Sequence, residues 1–326
     1  MSDRSKPSSG KTDFIAFAKI HAENYKNAGT KNLYLVTIEK ITKFVDKDNL
    51  PFEQITLDFL EKFNRHLEVT GSGVNARSIQ MRNIRTIFNR AIDKKIVGQE
   101  MYPFRSFKIR NEDKDKVSLS PEQVKKLYEY DFKMPSLRMA RDFWMMSFLF
   151  CGINPIDLYH LKKPDVEGRI SFVRTKEKGS NHITLRLLIQ PETQEIINRY
   201  KGDDDSPYLL NFVDKNLSYK NFRSFLGKKI RGIKDIEDES GKRVLKEFEG
   251  LTMYHARYSW ATIADGLDIQ EKTISKGLGH VDKSLAGKKY IVYDWSKVDR
   301  ANRQVIDFVL GKPKAEEKEV ASRKND

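Results

Sequence analysis

The chain has 326 residues, enough for two domains each with its own core. Its hydrophobic fraction of 39% and charged fraction of 33% exclude a disordered chain. No window approaches the roughly 18–20 uninterrupted apolar residues that a helical membrane span needs. The net charge is +14, with 17 basic against 11 acidic residues in 13–110 and 40 against 34 in 111–326. The excess therefore lies on both halves, as suits a clamp around a polyanion, although a merely soluble basic protein would show the same balance.

In chain order, residues 1–12 are rich in Ser, Lys and Gly and carry no apolar signal core, so they read as a disordered leader. The single cysteine, Cys151, cannot form an internal disulfide, and a reducing cytoplasm is the simplest compartment. From Asp13 to about Ile96 the periodicity is helical. Phe14, Phe17 and Ile20 with Ala18 mark one face, and Tyr34, Ile38, Ile41 and Val45 a second. Thr56 is a candidate N-cap for a helix carrying Phe59, Leu60, Phe63 and Leu67. Gly-Ser-Gly at 71–73 precedes a fourth helix with Ile84, Ile87, Phe88, Ala91 and Ile92 inward.

The outer face of that fourth helix carries Ser78, Arg82, Arg85 and Asn89 at spacings of 4, 3 and 4, one polar and basic stripe. Such a stripe fits a DNA major groove, with arginines reaching phosphates or guanine edges. An ordinary solvated helix face accounts for it equally well.

Residues 97–118 lack periodicity and are charged, as expected of an exposed connection. The first domain is set at 13–110 and the linker proper at 111–118. Ser120-Pro121-Glu122-Gln123 combines an N-cap, a proline at the first helical position and a capping-box partner, so a second domain starts there and runs to 310. Within it Ile170, Phe172 and Arg174 alternate with Ser171, Val173 and Thr175, and Ile183, Leu185 and Leu187 alternate likewise, predicting a β-hairpin with a lysine-bearing tip at 176–181. Helical patterns resume after Pro191 and continue to about Leu310, interrupted by the charged loop 235–243. Val298, Ala301, Val305 and Phe308 share one face of the last helix, with Ile306 beside it. Residues 311–326 read as a charged tail.

The segment 251–293, LTMYHARYSWATIADGLDIQEKTISKGLGHVDKSLAGKKYIVY, resembles the tyrosine recombinase (phage integrase) family. In that family a helix bearing an arginine leads to a Leu-Gly-His turn and then to a nucleophilic tyrosine. Arg257, just before Ser259-Trp260-Ala261-Thr262, stands at the arginine position; His280 closes Leu278-Gly279-His280; Tyr290 follows it by ten residues. CGINPIDL at 151–158 is similar to the family's first box, with Asp157 at its acidic position. Lys176 stands where the family's hairpin lysine is found. The resemblance covers roughly residues 13–310.

Two positions depart from the pattern. Asn154 replaces the first-box arginine, and Tyr254 replaces the second-box histidine, with His255 one residue out of register. Arg174 and Lys178 are the cations at hand to make good the first change, and Tyr254 is equally a phosphate donor or a packing residue. Tyr293 is the second candidate nucleophile.

The resemblance implies a mainly α protein: an all-α, SAM-like core-binding domain, then a mostly α catalytic domain with a small antiparallel β-sheet, together a C-shaped DNA clamp. It implies site-specific recombination of double-stranded DNA, at a mobile element in the cytoplasmic nucleoid. Tyr290 would attack phosphorus, Arg257 and His280 would hold its oxygens, and Lys176 would protonate the leaving 5′ oxygen. No metal and no nucleotide cofactor is expected. It also implies self-association into a tetrameric synapse through the last helix, unless that helix packs on its own domain. Two alternatives follow from Asn154 and from the shared chemistry: an inactive recombinase-like DNA-binding protein, and a relaxing topoisomerase.

Overall fold

The computed structural model describes residues 13–113, 117–175, 183–215, 218–280 and 293–311. The chain divides into two compact units, Met1–Asp115 and Lys116–Asp326.

In the first unit Asp13 caps α1 (Phe14–Glu23), its carboxylate accepting from the Ile15 amide. The same oxygen accepts from Leu50 at 2.9 Å, so one side chain starts the helix and pins the loop that returns to it. Asn27 caps α2 (Ala28–Val45) and Thr56 caps α3 (Leu57–Val69) in the same manner. The Gly-Ser-Gly break then releases α4 (Val74–Asp93). Aromatic rings fill the centre: Phe52 lies edge-on to Phe14 at 5.3 Å and to Phe88 at 5.1 Å.

Two expectations fail here. Ile20 is 62% exposed, and the buried face of α1 is Phe14, Ile15, Phe17, Ala18 and Ala22. Residues 97–109 are not wholly a solvated connection, whereas 110–113 are exposed as expected. Val97 and Phe104 are buried, and Tyr102, Phe107 and Ile109 pack on the same core. Asn75 and Glu112 exchange two hydrogen bonds, 2.7 and 3.0 Å. The backbone there is largely irregular, so its apolar residues carry no period, yet burying them is still favourable.

In the second unit Ser120 and Gln123 form the full capping box of α5 (Pro121–Glu129). The central helix α6 (Pro135–Leu149) is buried on all sides from Ala140 to Leu149, because α5 and three later helices, 191–200, 219–231 and 253–266, surround it. The short α7 (Pro155–Tyr159) follows. Strands β1 (Arg169–Val173) and β2 (Thr184–Leu188) pair antiparallel, with Ile170 opposite Leu187 and Phe172 opposite Leu185. After α8 (Pro191–Tyr200) the chain does not remain helical as expected. Lys201 bridges Leu210 and Tyr208 bridges Lys162 before α9 (Tyr219–Arg231) begins.

The remaining helices are α10 (Met253–Gly266), α11 (Glu271–Gly277) and α12 (Ser296–Leu310). Helix α12 packs on α5, α10, α11 and β2 of its own unit. Its buried face is Val298, Ala301, Asn302, Val305, Ile306 and Val309, whereas Phe308 is 55% exposed. Asn302 explains the shift of the stripe: it accepts from the Trp260 indole at 2.8 Å and donates to the Leu149 carbonyl at 2.8 Å. A buried polar side chain with both ends satisfied sits where a purely apolar face was read.

Candidate active site

Two turns of the second unit converge on one guanidinium. The chain leaves α6 through Cys151 (φ 54°) and Gly152 (φ 72°), both left-handed. A Cβ on Gly152 would lie 2.7 Å from the Arg257 Cα, so only glycine lets this turn lie against α10. Arg257, on α10 and only 7% exposed, donates from Nη1 to the Gly152 carbonyl at 2.9 Å and from Nη2 to the Leu278 carbonyl at 2.6 Å. Its Nη2 also lies 3.1 Å from Nε2 of His280.

His280 is exposed, and its amide donates to the Ser275 carbonyl at 2.9 Å. The turn is therefore held by its backbone while the ring lies beside the guanidinium. Residues 105 and 23 positions apart in sequence meet at one fork of donors. A planar guanidinium with fixed orientation can bind two oxygens of a tetrahedral anion at once.

Arg174 reaches the same turn from the other side. It directly follows β1, is 8% exposed, and donates from Nη1 to the Gly279 carbonyl at 3.0 Å. Arg257, Arg174, Asn154 and Asp157 line one narrow cleft. Asn154 occupies the N-cap position of α7 and makes no side-chain capping bond. Asp157, buried, accepts from the Thr175 amide at 2.7 Å. The first-box carboxylate thus fixes the backbone immediately after Arg174, a role that its sequence position does not disclose.

Tyr254 is 41% exposed at the start of α10 and meets Tyr258 edge-on at 5.0 Å. Its neighbour His255 is half-buried, burial alone lowering its pKa, and its Nδ1 is buried without a hydrogen-bond partner. Tyr293 packs beside Trp295 at 5.3 Å, with the Lys276 ammonium 5.5 Å from its ring centre. Burial pushes the Tyr293 phenol pKa up, against a smaller opposing pull from Thr273, which makes a phenolate nucleophile harder to form there. Lys176, Lys178 and Tyr290 lie outside the described residues.

On α4 the stripe divides. Arg82, Arg85 and Asn89 are exposed, but Ser78 is 2% exposed. Its hydroxyl donates to Asn111 at 2.6 Å and accepts from Arg82 at 2.7 and 3.1 Å. Ser78 is therefore an internal clip beneath the 106–112 segment, a correction to the reading of all four residues as one outer face.

Residues 13–109 match the phage integrase SAM-like domain family. No curated protein sequence matches the chain. The fold is similar to lambda integrase, solved as a tetramer bound to a Holliday junction (TM-score 0.60, 14% identity, 90% of this chain and 85% of that one). It is also similar to the Tn1549 transposon integrase in complex with circular intermediate DNA (TM-score 0.62, 14% identity, 90% and 99%), and to a lambda integrase dimer bound to a COC′ core site (TM-score 0.59, 15% identity, 86% and 97%). The chain thus shares the fold of these integrases, mainly α with, among the described residues, a two-stranded antiparallel sheet, and its residues 13–109 match the SAM-like domain model. Among the described residues no helix is long and apolar enough to cross a membrane.

Proposed function

We propose that the protein is a site-specific recombinase that cuts and rejoins double-stranded DNA through a covalent 3′-phosphotyrosyl intermediate, integrating or excising a mobile element in the cytoplasmic nucleoid. The observation that carries this reading is the buried Arg257 fork beside His280. Fixed donors aimed at one point stabilise charge that grows on phosphate oxygens as the phosphorus is attacked.

In the proposed step the Tyr290 phenolic oxygen forms a bond to phosphorus and gives up its proton to solvent. The bond from phosphorus to the 5′ oxygen breaks, and Lys176 supplies a proton to that oxygen. A free 5′ hydroxyl of the exchanged strand reverses the step, so the phosphodiester energy is conserved. Arg85 and Asn89 on α4, with Arg82 behind them, would grip the duplex, and the net charge of +14 would favour the encounter. Tyr254 would stand near the phosphate as a hydroxyl donor. Strand exchange needs four copies on two duplexes; the buried face of α12 is not offered as their contact, because its own unit covers it.

The test is incubation with nicked suicide duplexes drawn from a random pool, followed by denaturing gels. We expect the wild-type chain to trap a defined duplex covalently, and Tyr290→Phe to bind it without trapping. A second reading, a DNA-binding relative that does not cut, is favoured by Asn154 in place of an arginine. Sequence-specific binding by wild type with no adduct would establish it, and relaxation of supercoiled plasmid without a preferred site would establish a topoisomerase instead.

A further inference from the structure

Resting on the recombinase reading, we propose that Arg174 is a catalytic residue: the second guanidinium that binds the scissile phosphate, in place of the arginine that Asn154 has replaced. A phosphodiester brings one full negative charge to the site, and attack adds more on the same oxygens. Arg257 supplies one fixed positive charge against it, and the carboxamide of Asn154 supplies none.

Among the described residues the geometry singles out Arg174 as the cation that joins Arg257 at this turn. It directly follows β1 and is 8% exposed. Its Nη1 is 3.0 Å from the Gly279 carbonyl, and Arg257 Nη2 is 2.6 Å from the Leu278 carbonyl. Two guanidinium groups therefore hold adjacent peptide units of one turn, and the next residue of that turn is His280. The stem of Arg174 packs directly on the turn: a Cβ on Gly279 (φ 72°) would fall 2.5 Å from the Arg174 Cδ. A larger residue at 279 would force the guanidinium away.

Its backbone is held as firmly. Thr175, the next residue, donates its amide to Asp157 at 2.7 Å, and Asp157 belongs to the same box as Asn154. Arg174, Arg257 and Asn154 line one small crevice of about 10 Å³, too small for a phosphate, which would therefore rest at its mouth. A guanidinium beside Arg257 and His280 brings a permanent charge and a planar fork that matches two oxygens of a phosphate.

The rival role is a structural clip on the turn, and the two differ in what they owe to phosphate charge. The experiment compares the suicide duplex trapped by the wild-type chain with the same duplex carrying an uncharged methylphosphonate at the scissile position. On ordinary phosphate, Arg174→Ala is expected to lower the rate of adduct formation by about 100-fold or more. On methylphosphonate it should come within a few-fold of wild type, because there is no longer a charge to neutralise.

Arg174→Gln keeps a donor for the Gly279 carbonyl but no charge, and should behave as Arg174→Ala does even if the alanine variant folds poorly. Equal losses on both duplexes, or a glutamine variant as fast as wild type on phosphate, would overturn the proposal. A wild-type chain that traps no duplex would refute the recombinase reading and this inference with it. Trapping that Tyr290→Phe abolishes and Arg174→Gln leaves intact would refute this inference alone.

Discussion

The two basic units carry their cations in opposite ways. On α4 of the amino-terminal unit, Arg82 and Arg85 reach solvent on a helix whose other face makes the core. In the second unit Arg257 and Arg174 are less than a tenth exposed, and backbone carbonyls fix their guanidinium groups. Exposed cations on a rigid helix supply affinity that salt screens. Buried cations held to main-chain atoms supply an oriented charge, paid for by desolvation and insensitive to salt. The contrast predicts that substitutions on the two units separate binding from chemistry.

The largest effect belongs to Arg257. Arg257→Ala should reduce covalent trapping of DNA by about 100- to 1,000-fold while gel-shift affinity changes by a few-fold at most. The Gly152 and Leu278 carbonyls would also lose their donor, so the melting temperature should fall. Arg257→Lys keeps the charge but not the fork and should remain strongly impaired. Affinity and trapping falling together by the same factor would break the contrast.

Next in size is a stability effect confined to the second unit. Asp157→Ala removes the acceptor of the Thr175 amide and leaves that donor unpaired at the base of the hairpin. Loss of a charge-assisted hydrogen bond of this kind costs about 2 kcal/mol, measurable by urea denaturation. Trapping should fall as well, because Arg174 is the preceding residue. Unchanged stability would show that the Asp157 bond does not secure the hairpin.

These two predictions also mark what the amino-acid sequence makes legible. Local signals read true: the Ser120–Gln123 capping box, the Thr56 cap and the alternation that places Ile170, Phe172, Leu185 and Leu187 in two paired strands all depend on neighbours within a few residues or on a period of two. Periodicity misleads where one residue of a stripe answers to a distant element. Ile20 and Phe308 fit their helical spacings yet face outward, and Asn302 turns inward because Trp260 and Leu149, far away in the chain, complete it. Ser78 is buried by Asn111, in a segment whose apolar residues follow no period. At the site, motif spacing nominates Arg257 and His280, but nothing local announces that Gly152, Leu278 and Gly279 offer carbonyls to the arginines, or that Asp157 binds Thr175. Those are long-range contacts between main chain and side chain, and they leave no pattern in the order of residues.

A smaller effect is expected on α4. Arg85→Ala should weaken DNA binding by a few-fold across sequences and reduce the slope of log affinity against log salt by about 1, with no change in the melting temperature. Arg82→Ala should weaken binding and also destabilise the unit, because Arg82 donates to Ser78 and to Asn111 at 2.7 Å. Trapping at saturating protein should stay near wild type for both. A fall in the saturated trapping rate would place α4 in the chemistry and erase the division of labour.

The smallest effect tests the same contrast with protons. His21 in the amino-terminal unit and His255 in the second both have pKa values below the ordinary imidazole range. For His21 the causes are burial first and then the charges of Arg90 and Lys94; for His255 burial alone acts. A folded-state pKa below the unfolded value means that the folded state binds fewer protons. The stability it contributes is complete above about pH 6.5 and is lost as pH falls below that value toward the depressed pKa. Both units should therefore melt earlier at pH 5.5 than at pH 7.5. Salt distinguishes the two. Raising ionic strength from about 0.1 to 1 M shortens the screening length from about 10 to 3 Å, which weakens the Arg90 and Lys94 effects and lets the His21 pKa rise toward normal. Burial, which lowers the His255 pKa, does not respond in that way. Ring-proton NMR titrations at the two salt concentrations should show His21 moving and His255 still, and equal movement of both would mean that charge, and not burial alone, sets the His255 pKa.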